Sequence, residues 1–275
     1  MIRAVAASMW RARYTVSEAT HWRSFPAGGL SGQMLCRLLQ EESVTHVPVL
    51  ITGFTRESLS VVERRSGNQY RFLLPGPTLD ARDQERCLDA LAPKAQGASY
   101  LVASGSLPPG VPADFYARVC DLAQRCGVRF VLDTSGPALA GAGHGLFLIK
   151  ASLRELEELA GASIQSEDAQ ERAARDVVAQ GCAEVVVVSL GAQGALLATV
   201  EGVRRFAAVS VNGLGSIGAG DTMVAAIVLG LVRGLALADA VKFGMAASAA
   251  TLLRAGTELC RREDAERLYR EMTAT

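Results

Sequence analysis

Apolar residues along this chain recur in two periods, and the switches between them mark its elements. Over residues 32–42, Met34, Leu35, Leu38 and Leu39 gather on one side of a helical pattern, and Pro26-Ala27-Gly28-Gly29 ahead of it predicts the turn that leads in. Two strand-like runs follow, 59–64 and 69–74, joined by Ser66-Gly67-Asn68, which is a hairpin signal. A lone hairpin cannot build its own core, so it must cover something. After Pro75-Gly76-Pro77 the pattern turns regular: helix 82–91, strand 100–103, helix 113–125, strand 129–132, strand 146–149, helices 153–159 and 169–180, and strand 184–189. The consecutive valines 185–188 suit a strand buried on both faces. Alternating elements of this kind predict an α/β fold, with a parallel sheet between helical layers and its ligand at the carboxyl ends of the strands.

Composition narrows the picture without changing it. At 275 residues, 49% hydrophobic and 20% charged, the chain has the balance of one soluble globular domain, with room for a small appendage. A formal net charge of zero gives no sign of a nucleic-acid or membrane partner. The cysteines at 36, 87, 120, 126, 182 and 260 form no C-x-x-C pair and read as core thiols. With no secretory signal and no apolar run of membrane-spanning length, the expectation is a cytoplasmic protein with reduced thiols. His21, His46 and His144 are too scattered for a metal site or a triad. Residues 1–25 form an atypical N-terminal segment of four arginines, one acid (Glu18), two tryptophans and no clean period. That composition faintly resembles a transit peptide, and a degenerate or misread start explains it equally well.

The candidate chemistry centres on residues 211–234. Glycines at 213, 215, 218 and 220 let the backbone approach a ligand closely, and Asp221 opens an apolar helix predicted over 222–232. A glycine loop feeding a helix N-terminus makes an anion site, because unpaired first-turn N–H groups and the positive end of the dipole face the loop. Gly213-x-Gly215-x-x-Gly218 also matches the dinucleotide fingerprint, which requires a strand after the helix; a second helical pattern, 235–253, follows instead. No G-x-x-x-x-G-K-[ST] occurs. An Asp beside an anion-binding helix end repels the anion but is well placed to take a proton from an attacking hydroxyl; the plainer alternative is a helix cap. Polar residues also follow the predicted strands: Ser104-Gly105-Ser106, Asp133-Thr134-Ser135-Gly136, Lys150-Ala151-Ser152 and Ser189-Leu190-Gly191-Ala192-Gln193-Gly194.

These blocks, in this order, resemble the ribokinase-like sugar kinases, in particular the phosphofructokinase B branch of 6-phosphofructokinases, 1-phosphofructokinases and tagatose-6-phosphate kinases. The matching blocks are P-A-G-G at 26–29, T-R-E-S at 55–58, Q-Y-R-F-L-L-P-G-P at 69–77, S-G-S-L-P-P-G at 104–110, L-D-T-S-G at 132–136, S-L-G-A-Q-G-A at 189–195 and G-A-G-D at 218–221. The resemblance implies a three-layer sandwich with a mostly parallel sheet and a small β lid (hairpin about 49–75), built from residues 26–275. It implies transfer of the γ-phosphoryl of ATP, with Mg2+, to fructose 6-phosphate, with fructose 1-phosphate and tagatose 6-phosphate as alternative acceptors. Asp221 would be the base and Gly218, Ala219 and Gly220 the anion-hole donors. Ser189, Gly191 and Gly194 would line the ATP site, with Lys150 near the phosphates and Ser152 and Glu155 organising magnesium through water. Arg56 would grip the sugar phosphate's own phosphate, and Ser104 and Ser106 would border the sugar pocket. The lid is also the expected surface of a homodimer.

Three departures stand against that resemblance. The family's N-x-x-E is Ser152-x-x-Glu155 here, and its T-R-E-N is Thr55-Arg56-Glu57-Ser58, each exchanging an amide for a shorter hydroxyl. The family's opening strand, sugar-contacting Asp and G-G-x-x-x-N segment do not occur in residues 1–25. The expectation is therefore a chain that binds ATP well and phosphorylates sugar weakly, with a catalytically impaired nucleotide-binding remnant as the alternative.

Overall fold

The computed structural model describes residues 21–63, 65, 66, 69–211, 213, 217–254, 256, 258 and 260–274. Most of residues 1–25, Gly67 and Asn68 of the hairpin turn, and Gly215 of the glycine loop lie outside them. In chain order the elements begin with β1 (Arg23–Ala27), α1 (Gly29–Glu41), β2 (His46–Leu50), β3 (Ser58–Val62), β4 (Gln69–Leu73), α2 (Ala81–Ala95) and β5 (Tyr100–Ser104). Then come α3 (Phe115–Arg125), β6 (Arg129–Asp133), α4 (Pro137–Ala140), β7 (Leu146–Ser152), α5 (Leu153–Ala160), α6 (Glu167–Ala179) and β8 (Ala183–Ser189). A short 3-10 turn, Gly191–Gln193, leads into β9 (Ala195–Thr199) and β10 (Gly202–Phe206), and α7 (Ala219–Val232), α8 (Leu237–Leu252) and α9 (Arg262–Thr273) complete the chain.

The main sheet has six strands in the order β10-β9-β8-β7-β6-β5, parallel from β5 to β8, with β9 and β10 antiparallel at one edge. The valine strand shows why it must be layered. Val186 and Val188 pack with Leu91, Tyr116, Phe130 and Leu132 on one face, while Val185 and Val187 pack with Val131, Leu148, Met223 and Ile227 on the other. Strand alternation sends consecutive valines into opposite cores, so a run of four is read correctly only as a doubly covered strand. α2, α3, α5 and α6 supply one layer, and α7 and α8 the other, with α9 packed against α8.

α7 and α8 approach closely at two glycines. A Cβ on Gly244 would sit 2.5 Å from Ile227 Cγ1 and 2.9 Å from the Met223 carbonyl, and one on Gly230 would sit 3.1 Å from Ala240 Cα. Both helices carry mostly small and apolar residues, so close backbone packing replaces interdigitated large side chains.

Several expectations are corrected. Pro26 and Ala27 end a buried strand, β1, paired in parallel with β2, where a turn was expected; Pro26 is tolerated because β1 is an edge strand among the described residues. β1 spans residue 25. Residues 49 and 50 belong to β2, and the hairpin is β3–β4, 58–73. α7 starts at Ala219, three residues before its expected start, and Asp221 stands in its first turn. Among the described residues, no helix is long and apolar enough to cross a membrane.

Candidate active site

Gly218, with φ +80, is the N-cap of α7, a conformation that costs glycine little and other residues more. The first helical bond runs from Thr222 N to the Gly218 carbonyl at 2.8 Å, so the amides of Ala219, Gly220 and Asp221 precede the helix's internal ladder. Asp221 does not cap the helix: the cap residue is Gly218, and no side-chain cap bond forms. Its Oδ1 instead accepts a hydrogen bond from Ser104 Oγ at 3.0 Å, across 117 residues of sequence. The carboxylate is thereby aimed at the strand ends.

Those ends lie in register. Ser104 of β5 faces Asp133 of β6, Leu132 faces Ile149 of β7, and Ser152 of β7 faces Ser189 of β8, so Ser104, Asp133, Lys150, Ser152 and Ser189 form a row along one rim of the sheet. Gly105, with φ +105, follows β5; its N–H donates to the Asp133 carbonyl, and its own carbonyl accepts from Tyr116 OH at 2.7 Å and Thr134 Oγ1 at 3.0 Å. Burial pushes the Tyr116 phenol up, keeping it a donor.

Lys150 Nζ donates to Asp133 Oδ1 at 3.1 Å, with the two side chains only 8% and 12% exposed. A Cβ on Gly220 would fall 2.9 Å from that nitrogen. Lys150 therefore lies beside the first turn of α7. Burial raises the Asp133 carboxyl above the usual carboxylate range; the Lys150 charge opposes this, while Asp221 and Glu155 reinforce it. The sequence places Asp133 at a polar strand end and within a matching block but assigns it no role. Its place beside Ser104 and Lys150 is legible only once register is known.

Ser152 and Glu155 form a capping box on α5: Ser152 N donates to Glu155 Oε2 at 2.6 Å, and Glu155 N donates to Ser152 Oγ at 3.3 Å. One carboxylate oxygen of Glu155 is thus engaged by the backbone. Ser189 Oγ donates to the Ala151 carbonyl at 3.3 Å. Gly191 and Gly194 flank the 3-10 turn with φ +59 and +95, and a Cβ on Gly194 would strike the Phe206 carbonyl at 1.9 Å. Among the described residues, no group of His, Cys, Asp and Glu forms a metal cage.

A cleft partly open to solvent is bordered by Pro26, Thr55, Arg56, Pro75, Gly76 and Ser106. Arg56 Nη1 donates to Ser106 Oγ at 3.3 Å. Thr55 is tied to the start of α1: Gly28 N donates to Thr55 Oγ1 at 3.0 Å, Thr55 N to the Gly28 carbonyl at 2.9 Å, and Ser31 Oγ to the Thr55 carbonyl at 2.8 Å. A Cβ on Gly28 would lie 2.2 Å from the Gly53 carbonyl. The P-A-G-G block thus anchors the T-R-E-S block. Ser104 is not among the residues that border this cleft; it is buried and holds Asp221. In the β3–β4 hairpin, Leu59 faces Phe72 and Val61 faces Tyr70, placing all four on one exposed face.

Comparison with known proteins gives concordant matches. The profile of the pfkB family carbohydrate kinases matches residues 16–264. The chain is 49% identical over 245 residues to the ATP-dependent 6-phosphofructokinase isozyme 2 of Mycobacterium tuberculosis (strain H37Rv), covering 89% of this chain and 72% of that protein. It is 32% identical over 250 residues to the 1-phosphofructokinase of Bacillus subtilis, covering 90% and 80%. Its structure resembles the tetrameric inhibited form of phosphofructokinase-2 from Escherichia coli with a TM-score of 0.89 and 33% identity, covering 98% of this chain and 86% of that one.

Proposed function

The chain belongs to the pfkB family of carbohydrate kinases, and from that premise we propose that it phosphorylates fructose 6-phosphate with ATP, giving fructose 1,6-bisphosphate and ADP. The observation that carries this reading is the Asp221 carboxylate held by Ser104 at a glycine-capped helix N-terminus, at a strand rim that also carries Asp133 and Lys150. Asp221 accepts the proton of the attacking sugar hydroxyl. The oxygen of that hydroxyl forms the new P–O bond as the β–γ bridging bond breaks, and ADP departs with the electron pair. The amides of Gly218, Ala219 and Gly220 receive the transferring phosphoryl oxygens, and Lys150 adds positive charge beside them. Ser189, Gly191 and Gly194 shape the nucleotide side, and Arg56 with Ser106 binds the phosphate already on the sugar.

Charge balance supports a magnesium requirement. Asp133, Asp221 and Glu155 stand against Lys150 alone, so a polyanionic nucleotide meets a rim already rich in negative charge. Magnesium keeps most of its waters and takes one or two carboxylates, which suits Glu155 acting through water with its second oxygen, positioned by the Ser152 cap. The ion would neutralise phosphate charge there. The exposed hairpin face of Leu59, Val61, Tyr70 and Phe72 supports a homodimer through the lid, and the protein is read as cytoplasmic.

A coupled ADP assay across fructose 6-phosphate, fructose 1-phosphate, tagatose 6-phosphate and unphosphorylated fructose tests the proposal. Fastest turnover is expected with fructose 6-phosphate, and turnover of unphosphorylated sugar alone overturns the role of Arg56. Nucleotide binding without turnover of any sugar leaves the impaired-remnant reading in its place.

A further inference from the structure

Asp133 is the most constrained ionisable group of the rim that the proton transfer does not use. Its Oδ1 accepts from Lys150 Nζ at 3.1 Å, its Oδ2 lies 3.5 Å from Ser104 Oγ, and the same hydroxyl reaches Asp221 Oδ1 at 3.0 Å. Lysine is a point charge on a flexible stem and can occupy many positions. Here a carboxylate on the neighbouring strand selects one, with Nζ against the backbone of the first turn of α7.

We propose that Asp133 is a positioning residue for phosphoryl transfer, holding the Lys150 ammonium against Gly220 so that positive charge underlies the anion hole at the α7 N-terminus. The proposal rests on the kinase reading above. A fixed charge there acts on the phosphoryl group in flight and leaves adenine and sugar contacts untouched, so its signature lies in kcat. A side chain at Gly220 would displace the ammonium from this position.

The test uses Asp133→Asn, Lys150→Met and the double variant in the full chain. Each single variant is expected to lower kcat about 10²-fold, the scale of a misplaced or missing charge donor, with the KM for fructose 6-phosphate within about threefold. The double variant is expected to be no slower than Lys150→Met alone, because Asp133 acts through Lys150. Independently of sugar turnover, Mg·ATP should raise the melting temperature of the unaltered chain more than Mg·ADP, and this difference should vanish in both single variants. Asp133→Glu keeps the charge but displaces it by a methylene; folded by circular dichroism, it should also lose kcat. Wild-type kcat and an intact ATP-over-ADP difference in Asp133→Asn, or wild-type kcat in Asp133→Glu, would overturn the proposal and leave an inert buried ion pair. Failure of the unaltered chain to phosphorylate any sugar phosphate would remove the kinase reading, while the ATP-over-ADP comparison would still decide the role of Asp133.

Discussion

At the strand ends, Ser104, Asp133, Lys150 and Asp221 come from three strands and a helix, lie 3.0–3.5 Å apart, and are largely withdrawn from water. At the cleft, Arg56 reaches Ser106 at 3.3 Å in a space partly open to solvent, and the β3–β4 hairpin carries an exposed apolar face. On the kinase reading proposed above, the two sides would differ because their tasks differ: charge that stabilises a transferring phosphoryl must be preorganised in a dry place, whereas a lid that admits and releases sugar must be able to move.

The sharpest way to break this comparison is Asp221→Asn. Turnover is expected to fall by about 10²-fold or more, with the thermal shift caused by Mg·ATP nearly unchanged. An active preparation with unaltered turnover would reduce Asp221 to a first-turn acid favoured by the helix dipole. Arg56→Ala should act on the other side: the KM for fructose 6-phosphate rises about 10- to 100-fold, the worth of a charge-assisted phosphate contact, while kcat moves much less. Equal losses in kcat and kcat/KM would place Arg56 in the chemistry instead.

The third change concerns the lid. Phe72→Glu places charge on the exposed hairpin face and is expected to shift sedimentation towards the monomer and raise the KM for sugar about tenfold, with ATP binding spared. Unchanged sedimentation would show that this face does not hold copies together. The smallest effect is one of proton linkage. Because burial raises the Asp133 carboxyl, the folded chain keeps that proton where the unfolded chain has lost it. The associated stability is present below the ordinary carboxylate range and is lost as pH rises through the raised value. The melting temperature of the unaltered chain should therefore fall relative to Asp133→Asn as pH rises above about 4 through the raised value, on the order of 2–4 °C per kcal/mol of linkage. Lys150, Asp221 and Glu155 face the same carboxyl, and a gap constant in pH would show that they cancel its burial.

The same two sides differ in how far they could be read from sequence. The doubly covered strands and their helices were legible because periodicity reports burial, and the four valines at 185–188 have no other sensible home. β1 was hidden by Pro26 and Gly28, which resemble turn residues until edge position and backbone crowding account for them. β9 and β10 are five residues each and meet through a tight turn, too short for a period to register. α9 buries only Ala265 and Leu268, so its pattern is mostly that of a solvated surface. Asp221 could be singled out from its glycines, yet Asp133 could not, because its meaning lies in cross-strand neighbours.

The close approach of α7 and α8 carries a mechanical consequence. With Gly244 pressed on Ile227 and Gly230 on Ala240, neither helix can slide or roll past the other without backbone collision. Asp221 in the first turn of α7 is therefore carried by a helix held close to its neighbour; on the kinase reading, any closing stroke would fall to the hairpin, and Gly244→Ala would loosen the support of the base.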